Sequence, residues 1–375
     1  MTHFAKLNGC EVKVVAPVPY FPAIGVSWRS KYSQVVKREL REGLDVYHPR
    51  YFMTPKVGMS LYGLKMFLSV LPAVKKIQKT FDFDIIDSHY VYPDGFAAAL
   101  MGKYFRKPVV VSARGSDINQ YSEFPIIRKL LRYTLSNAQE VIAVCQALKE
   151  AIVNLGAPSE KIAVIPNGID TDKFFPYSKK EARRKLNLSP DKKILLSVGG
   201  LIPRKGFGLL MKAFKILFEE YKKKDLDLVI IGEGPLRNGL EEMINSFNLS
   251  KNIHLVGSVP HRDLYLWFNS ADIFCLTSHR EGWPNVIMES IACGIPVVAT
   301  SVWGTPEIIS NGIGVLAEKN ERDIAQRISM ALESEWDREE IVNYARNHTW
   351  DKVALSVYNV FQSVLSSQHN IPVTQ

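Results

Sequence analysis

Short apolar runs that alternate with longer segments of helical periodicity constrain the fold of this chain most strongly. Runs such as Val109–Val111 and Leu228–Ile231 have no polar face, which is typical of parallel strands covered by helices on both sides. Because strands alternating with helical segments form repeated β-α-β units, we predict an α/β protein. The ten predicted strands are Val12–Pro17, Phe83–His89, Pro108–Ala113, Gln139–Val144, Ile162–Pro166, Lys193–Val198, Leu226–Ile231, Ile253–Val256, Asp272–Thr277 and Pro296–Thr300.

These strands fall into two series that divide near residue 170. The division is marked by Ile165–Asp170, where proline and Asn-Gly end a strand. At about 150 residues per domain, 375 residues also suggest two domains. We therefore predict two doubly wound domains, 1–170 and 171–350, and a final amphipathic helix at 351–366 that can pack back on the first.

The first residues do not fit the start of a doubly wound domain. Phe4–Gly9 resembles the last turn of a helix that ends at a glycine, and a strand follows directly. Such a domain normally begins with a strand and a glycine turn before that helix. We therefore expect the first domain to lack its first strand, because the start is recorded too late or the product is truncated.

The composition excludes several classes of protein. The four cysteines are Cys10, Cys145, Cys275 and Cys293. They form neither a Cys-x-x-Cys motif nor a Cys/His cluster, which excludes a disulfide scaffold, gives no zinc signature and favours a reducing compartment. The sequence contains no run of 18 or more apolar residues, the length that a membrane-spanning helix needs. Its first residues also lack the apolar segment of a secretory signal.

The densest group of candidate functional residues lies between Ser278 and Thr300. A predicted buried strand ends at Ser278 and a helix follows, so its free amides would meet a ligand at the carboxyl end of the sheet. Glu281 precedes this helix and Glu289 lies about one turn inside it. Two carboxylates beside a phosphate-accepting helix start suit a ligand that carries hydroxyls as well as phosphate. The alternative is a glutamate that complements the helix dipole and an unrelated surface glutamate.

The spacing of these glutamates and the sequence after them resemble the E-x7-E signature of the family-four retaining glycosyltransferases of the GT-B fold. Four further segments resemble the family's diphosphate-binding loop, second glycine turn, interdomain segment and G-G-x-x-E turn, in the family's order. They are Val198–Gly206, Ile231–Arg237, Ile165–Asp170 and Trp303–Glu307. The resemblance runs from about residue 9 to about 365 and implies two Rossmann-like domains that face a cleft.

The resemblance also implies roles for individual residues. Lys205 and Arg204 would neutralise the leaving nucleoside diphosphate, Glu281 would contact the transferred sugar, and Glu289 would hold the ribose hydroxyls. The first residues of the helix and one glycine from each glycine loop would lie near the donor; these are Asn285, Val286, Gly200 and Gly232. The donor would be a UDP- or GDP-sugar, without a further cofactor and without a metal. We interpret the acidic pair Asp82 and Asp84 as polar residues at a strand edge and not as metal ligands. For Gly232, packing is the alternative.

Two positions depart from the family pattern. Where much of the family has a histidine in a His-Gly-x-Asp loop, this chain has Arg114. Since arginine cannot act as a base, we expect Arg114 to contact phosphate or stabilise charge, and His89 becomes the candidate catalytic histidine. Gly200 occupies the place of an arginine, for which Arg204 is expected to substitute.

The net charge of +9 is unevenly distributed. Residues 1–170 carry 22 Lys and Arg against 14 Asp and Glu, whereas residues 171–375 carry 25 against 24. A basic half indicates an anionic partner, but no nucleic-acid recognition motif is present. An apolar segment at 58–79 ends in three lysines, Lys75, Lys76 and Lys79. It is either a helix packed on the sheet or an interfacial helix whose lysines face anionic lipid.

Together these features predict a cytoplasmic, metal-independent hexosyltransferase with a lipid-linked or polysaccharide acceptor, peripheral at the inner face of the cell membrane. Two alternatives stay open: a nucleotide-sugar epimerase of the same architecture and a truncated, non-catalytic GT-B-like binding protein. An NAD-linked dehydrogenase is disfavoured, because no G-x-G-x-x-G follows a strand with an acidic residue about 20 positions later.

Overall fold

A computed structural model describes residues 1–7, 9–20, 32, 34–53, 58–310 and 312–369. The protein has an α/β architecture, as predicted, and its chain divides into two compact units. The first unit contains Met1–Pro166 and Val353–Gln375, and the second contains Asn167–Lys352.

Nine strands of the first unit form three small sheets within the described residues. The strands are β1 (Lys13–Val15), β2 (Val18–Tyr20), β3 (Arg38–Arg41), β4 (Leu44–Tyr47), β5 (Arg50–Phe52), β6 (Ile86–His89), β7 (Val109–Ala113), β8 (Glu140–Ala143) and β9 (Ile162–Val164). In the first sheet β4 lies between β1, which is parallel to it, and β3, which is antiparallel. In the second, β2 and β5 form a parallel pair, and in the third β6, β7, β8 and β9 follow one another in a parallel sheet. In the described residues β1 pairs only with β4 and β6 only with β7, so these sheets stay separate.

Helices cover the four-stranded sheet, whose strand β7 is buried along its whole length. The helices of this unit are α1 (Tyr62–Gln78), α2 (Phe96–Phe105), α3 (Ser116–Asn119), α4 (Pro125–Asn137) and α5 (Gln146–Asn154). Helix α1 buries Met66 and Val70 against α2 and β5, so one face of the apolar segment is packed on the protein. Its other face leaves Leu64 and Leu68 exposed. The packed face agrees with a helix that packs on the protein, and the exposed apolar face agrees with an interfacial helix. Neither of these two sequence-based interpretations accounts for both faces alone.

The described residues of the second unit form one parallel sheet of six strands. Its strands are β10 (Lys193–Val198), β11 (Leu226–Ile231), β12 (Ile253–Gly257), β13 (Ile273–Leu276), β14 (Val297–Thr300) and β15 (Gly314–Ala317). Their order across the sheet is β12-β11-β10-β13-β14-β15. Its helices are α6 (Lys179–Lys185), α7 (Phe207–Glu219), α8 (Arg237–Ser246), α9 (Leu264–Ser270), α10 (Asn285–Ala292), α11 (Thr305–Ile308), α12 (Glu321–Glu333) and α13 (Arg338–Arg346).

The strand order of this sheet reverses between β10 and β13. The chain runs outward from β10 through β11 to β12 and then returns to place β13 on the other side of β10. Because neighbouring loops diverge at such a point, ligands of open α/β sheets bind at the carboxyl ends of these two strands. Burial of Leu195, Leu228 and Phe214 between the sheet and α7 holds this edge in place.

The last helix, α14 (Trp350–His369), begins in the second unit and continues in the first. In the first unit Phe361 and Val364 pack on Val110 and Ile142 of the four-stranded sheet. Within the described part of the chain, no helix is both long and apolar enough to cross a membrane.

Candidate functional site

The loops after β10 and β13 lie in direct contact at the point where the strand order reverses. The Thr277 hydroxyl donates a hydrogen bond of 3.0 Å to the carbonyl oxygen of Gly206, and the amide of His279 donates one of 2.8 Å to the carbonyl oxygen of Arg204. A Cβ at Gly206 would lie 1.9 Å from the Thr277 carbonyl oxygen, and φ of this residue is +68°. Only glycine fits, and the close approach brings both loops to one site.

Glu281 is the centre of this contact. Its carboxylate is buried, with 6% of the residue exposed. The Lys205 ammonium donates to Oε1 at 2.6 Å, and the Ser278 hydroxyl donates to the same oxygen at 2.7 Å. Arg204 Nη1 donates to Oε2 at 3.3 Å and to the carbonyl oxygen of Arg280 at 3.0 Å. Two cations around one carboxylate leave an excess positive charge, which suits an anionic ligand.

Helix α10 begins beside this cluster, at Asn285. The amides of a helix's first turn have no acceptor within the helix, and the positive end of its dipole attracts anions. Asn285 is exposed and Val286 partly so. The side-chain amide of Asn167 donates to the side-chain oxygen of Asn285 at 3.1 Å, so Asn167 contacts this helix start.

Glu289 lies one turn into α10, and 7% of the residue is exposed. Its Oε1 is 3.1 Å from Nε2 of His261, whereas its buried Oε2 has no hydrogen-bond partner within the described residues. Burial raises the pKa of the Glu289 carboxyl, and His261 partly opposes this shift. Sequence reasoning did not identify His261, although it follows Gly257–Pro260 at the carboxyl end of β12, a position that could have indicated it.

Of the two predicted glycines, Gly232 has no room for a side chain, whereas Gly200 has. A Cβ at Gly232 would lie 1.9 Å from the carbonyl oxygen of Gly199, and one at Gly234 would lie 2.5 Å from that of Leu201. The second glycine turn therefore needs glycine because the first loop packs against it. A Cβ at Gly200 would meet nothing closer than 3.9 Å, and Gly200 is exposed. This position has room for a side chain such as the arginine that the family pattern places there.

His89 and Arg114 lie together at the carboxyl ends of β6 and β7 in the first unit. Arg114 Nη2 donates to Nδ1 of His89 at 2.5 Å, and His89 Nε2 lies 3.2 Å from Oδ2 of Asp87. Because a guanidinium only donates, Nδ1 must accept, so the imidazole carries its proton on Nε2 toward Asp87. Both ring nitrogens are engaged, and this arrangement does not present a free base. Burial lowers the pKa of Arg114.

Two further carboxyls lie in the same loops. Asp117 is fully buried and accepts hydrogen bonds from the amides of Val91 and Gly115, both at 2.8 Å, and from that of Arg114 at 3.1 Å. It holds the loops after β6 and β7 together. Burial raises the pKa of Asp94 to about 6. Among all the residues described, no three His, Cys, Asp or Glu side chains are grouped as ligands for a metal ion.

Two family models match the two halves of the chain. The model described as Glycosyltransferase Family 4 matches residues 2–173. The model described as Glycosyl transferases group 1 matches residues 178–348, which contain the loops after β10 and β13 and helix α10.

Several curated proteins are similar over most of the chain. TuaC of Bacillus subtilis, named as a teichuronic acid biosynthesis glycosyltransferase, is 28% identical over 96% of this chain and 88% of its own. The uncharacterized glycosyltransferase MJ1607 of Methanocaldococcus jannaschii is 31% identical over 75% of each chain. The phosphatidylinositol N-acetylglucosaminyltransferase GPI3 subunit of Saccharomyces cerevisiae is 28% identical over 79% of this chain and 64% of its own.

Solved structures share the architecture at lower identity. Sucrose-phosphate synthase from Thermosynechococcus elongatus gives a TM-score of 0.74 at 19% identity, over 89% of this chain and 87% of that one. Anabaena HepE, solved in complex with UDP-glucose, gives 0.68 at 20% identity, over 86% and 87%. Since family models match both halves and MJ1607 is 31% identical over three quarters of its length, the chain belongs to the family-four glycosyltransferases and has their GT-B fold.

Proposed function

We propose that the chain transfers a hexose from a UDP- or GDP-sugar to a lipid-linked or polysaccharide acceptor, with retention of configuration at the anomeric carbon. One observation carries the proposal: Lys205 and Arg204 converge on the buried Glu281 at the point where the strand order reverses. A family-four glycosyltransferase needs cations where the leaving diphosphate develops charge, and these two side chains supply them.

The proposed roles follow from the chemistry of each group. As the bond between the anomeric carbon and the diphosphate oxygen breaks, negative charge grows on that oxygen. Lys205, Arg204 and the first amides of α10 would stabilise this charge without a metal ion, because they are already oriented before the reaction. Glu281 would hold Lys205 in place and accept a hydrogen bond from a hydroxyl of the transferred sugar. Glu289 would accept hydrogen bonds from the ribose.

The similar proteins support the donor and acceptor classes. HepE was solved with UDP-glucose, which supports a nucleotide sugar as the donor. The name of GPI3 gives phosphatidylinositol as its acceptor, and that of TuaC assigns it to teichuronic acid biosynthesis. In the first unit, His89 and Arg114 would act toward the transferred sugar or the acceptor, with Arg114 as the group that contacts anionic oxygens.

An exposed surface of the first unit supports an acceptor held at a membrane. Its side chains come from α1, the turn before it and the adjacent start of α4, and each is 44–63% exposed: Leu61, Leu64, Leu68, Phe124 and Ile126. Lys75, Lys76 and Lys79 follow at the end of α1 and are exposed as well. Such a leucine-lysine surface suits anionic lipid, so we place the enzyme at the inner face of the cell membrane.

A thermal-shift panel tests the donor class directly. UDP, GDP and several sugars of each are added separately to the full chain, and one nucleotide series should raise Tm. The anomer formed from the best donor and a lipid-linked acceptor is then read by NMR, where retention is expected. Stabilisation by none of these nucleotides would reject the nucleotide-sugar donor, whereas an inverted product would reject retention alone.

A further inference from the structure

We infer that His261 is a positioning residue for the donor: it holds one oxygen of Glu289 so that the other recognises a ribose hydroxyl. The inference rests on the proposed function, since it assigns a ribonucleotide to this site. His261 contacts the Glu289 carboxylate directly, and the inference gives this histidine a role in nucleotide binding besides its packing.

The two oxygens of Glu289 have different environments. Oε1 lies 3.1 Å from the imidazole Nε2, whereas the buried Oε2 has no partner within the described residues. A buried acceptor without a partner is costly, so Oε2 is suited to a donor that a ligand brings. An anionic phosphate oxygen cannot provide that donor, but a ribose hydroxyl can.

The position of His261 suits this task. The residue begins the short helical turn His261–Asp263 after β12, and its ring packs edge-to-face on Phe174 with the ring centroids 5.2 Å apart. Phe174 is itself buried. The edge-to-face contact and the 3.1 Å contact with Oε1 of Glu289 favour one orientation of the imidazole, whose side chain is 62% exposed. Glu289 is therefore held through Oε1, and its buried Oε2 keeps no partner within the described residues.

Among the described residues, few charges other than His261 act on this carboxylate. The thiol of Cys293, which directly follows the last residue of α10, interacts electrostatically with Glu289. Arg338 of α13 donates a hydrogen bond of 2.9 Å to the carbonyl oxygen of Cys293. His261 is the group that favours the ionised form of Glu289 against burial. Removing the imidazole therefore raises the pKa of Glu289 further, and the loss of nucleotide affinity on acidification should begin at a higher pH.

Calorimetry on the full chain tests the inference with UDP, GDP and the 2′,3′-dideoxy form of whichever binds. His261→Phe keeps the ring packed on Phe174 but removes the donor, and it should weaken binding of the ribonucleotide about tenfold. It should leave the weaker binding of the dideoxy form unchanged, because His261 acts only through Glu289. His261→Gln, which retains a donor, should recover most of the affinity.

The matched control is His254→Phe, which alters a partly exposed histidine within β12 and should leave nucleotide binding unchanged. If His261→Phe weakens both nucleotides equally with an unchanged pH profile, the residue only supports the fold and the inference is wrong. If it has no effect, the inference is also wrong, while the proposed function stands. If the parent chain binds neither UDP nor GDP, the proposed function fails first and the inference with it.

Discussion

The ammonium of Lys205 and Oε1 of Glu281 form a 2.6 Å hydrogen-bonded ion pair at the junction of two loops 76 positions apart. Removing either partner would leave a charge with little access to water, since the side chains are only 15% and 7% exposed. Pairs of this kind are weak evidence for stability, because desolvation offsets much of the Coulomb attraction. We interpret this pair as a prepared binding group whose cation is directed to the diphosphate.

Lys205→Ala should weaken binding of the nucleoside diphosphate by about 10- to 100-fold at low ionic strength, since a charge-assisted hydrogen bond to the phosphate is lost. Affinity should also depend less on salt than in the parent, because one cation no longer contributes. Calorimetry across a series of salt concentrations measures both effects.

Lys212→Ala is the control for this prediction, because Lys212 is an exposed lysine on α7, in the helix that follows the same loop. A parallel loss of affinity in both variants would show that general surface charge, and no specific contact, attracts the nucleotide. Thermal unfolding of Lys205→Ala must accompany the titration, since the variant leaves Glu281 with Ser278 and Arg204 as its partners.

Glu289→Ala should abolish measurable binding of the nucleotide sugar. The substitution removes the proposed acceptor for the ribose and the partner of His261, and it leaves a cavity where the buried Glu289 side chain lay. The measurement is calorimetry with the donor identified by thermal shift, and the control is Glu242→Ala at an exposed position of α8. Binding with parental affinity would remove Glu289 from the donor site.

Much of the fold could be predicted from the sequence because its parallel strands are buried on both faces. All ten predicted strands are present, and β10 and β11 have the predicted bounds, since runs such as Leu228–Ile231 have no polar face to obscure them. The strands that were missed are short or partly exposed. Arg38–Arg41, for example, forms an antiparallel edge strand whose residues are mostly charged.

The site could be predicted only where adjacent residues form a motif. The loops that contain Lys205 and Glu281 were both identified, but their contact depends on Gly206 lying against Thr277, which no local pattern reveals. His261 was missed for the same reason, because its partner Glu289 is 28 positions away. The engagement of both His89 nitrogens likewise depends on two strands becoming neighbours.

His89→Ala and Arg114→Ala should each lower turnover at least tenfold without changing nucleotide affinity more than about twofold. Lys205, Arg204 and Glu289, which are proposed to hold the nucleotide, lie in the second unit, whereas His89 and Arg114 lie in the first and are proposed to act on the transferred sugar or the acceptor. Since His89 holds the Arg114 guanidinium, the double variant should be about as slow as the slower single variant. Single-turnover kinetics and calorimetry separate the two quantities.

Independent effects in this pair, with rate losses that multiply in the double variant, would contradict the assignment of His89 as a support for Arg114. His89→Gln offers a second check, because a glutamine oxygen can still accept from the guanidinium. We expect it to retain more activity than His89→Ala, whereas a residue acting as a general base would lose activity equally in both variants.

Leu64→Glu with Leu68→Glu should reduce recovery of the protein with anionic liposomes in a flotation assay. Both leucines are exposed on α1, and charged side chains there would oppose contact with acyl chains and anionic headgroups. Leu355→Glu, at a leucine 52% exposed on α14, is the control and should float like the parent. Salt should release the parent, and equal recovery with neutral liposomes would exclude the electrostatic contribution.

Asp94→Asn should stabilise the protein at neutral pH but not in acid. Burial raises the pKa of Asp94 from 3.8 to about 6, so the folded protein holds this proton more tightly than the unfolded chain does. The free energy of unfolding therefore decreases as the pH rises from about 4 to about 6, by at most about 3 kcal/mol from this group. Asparagine removes the charge and with it this decrease.

Urea unfolding of the parent and Asp94→Asn at pH values below, within and above this interval tests the sign. The variant should gain stability steadily as the pH rises and should keep the gain above about pH 6. Asp84→Asn is the control, because Asp84 is exposed and precedes β6. The difference in unfolding free energy between this variant and the parent should not change with pH. A gain that was equal at every pH would mean that Asp94 is neutral throughout, and a loss at neutral pH would mean that its ionised form is stabilised by the fold.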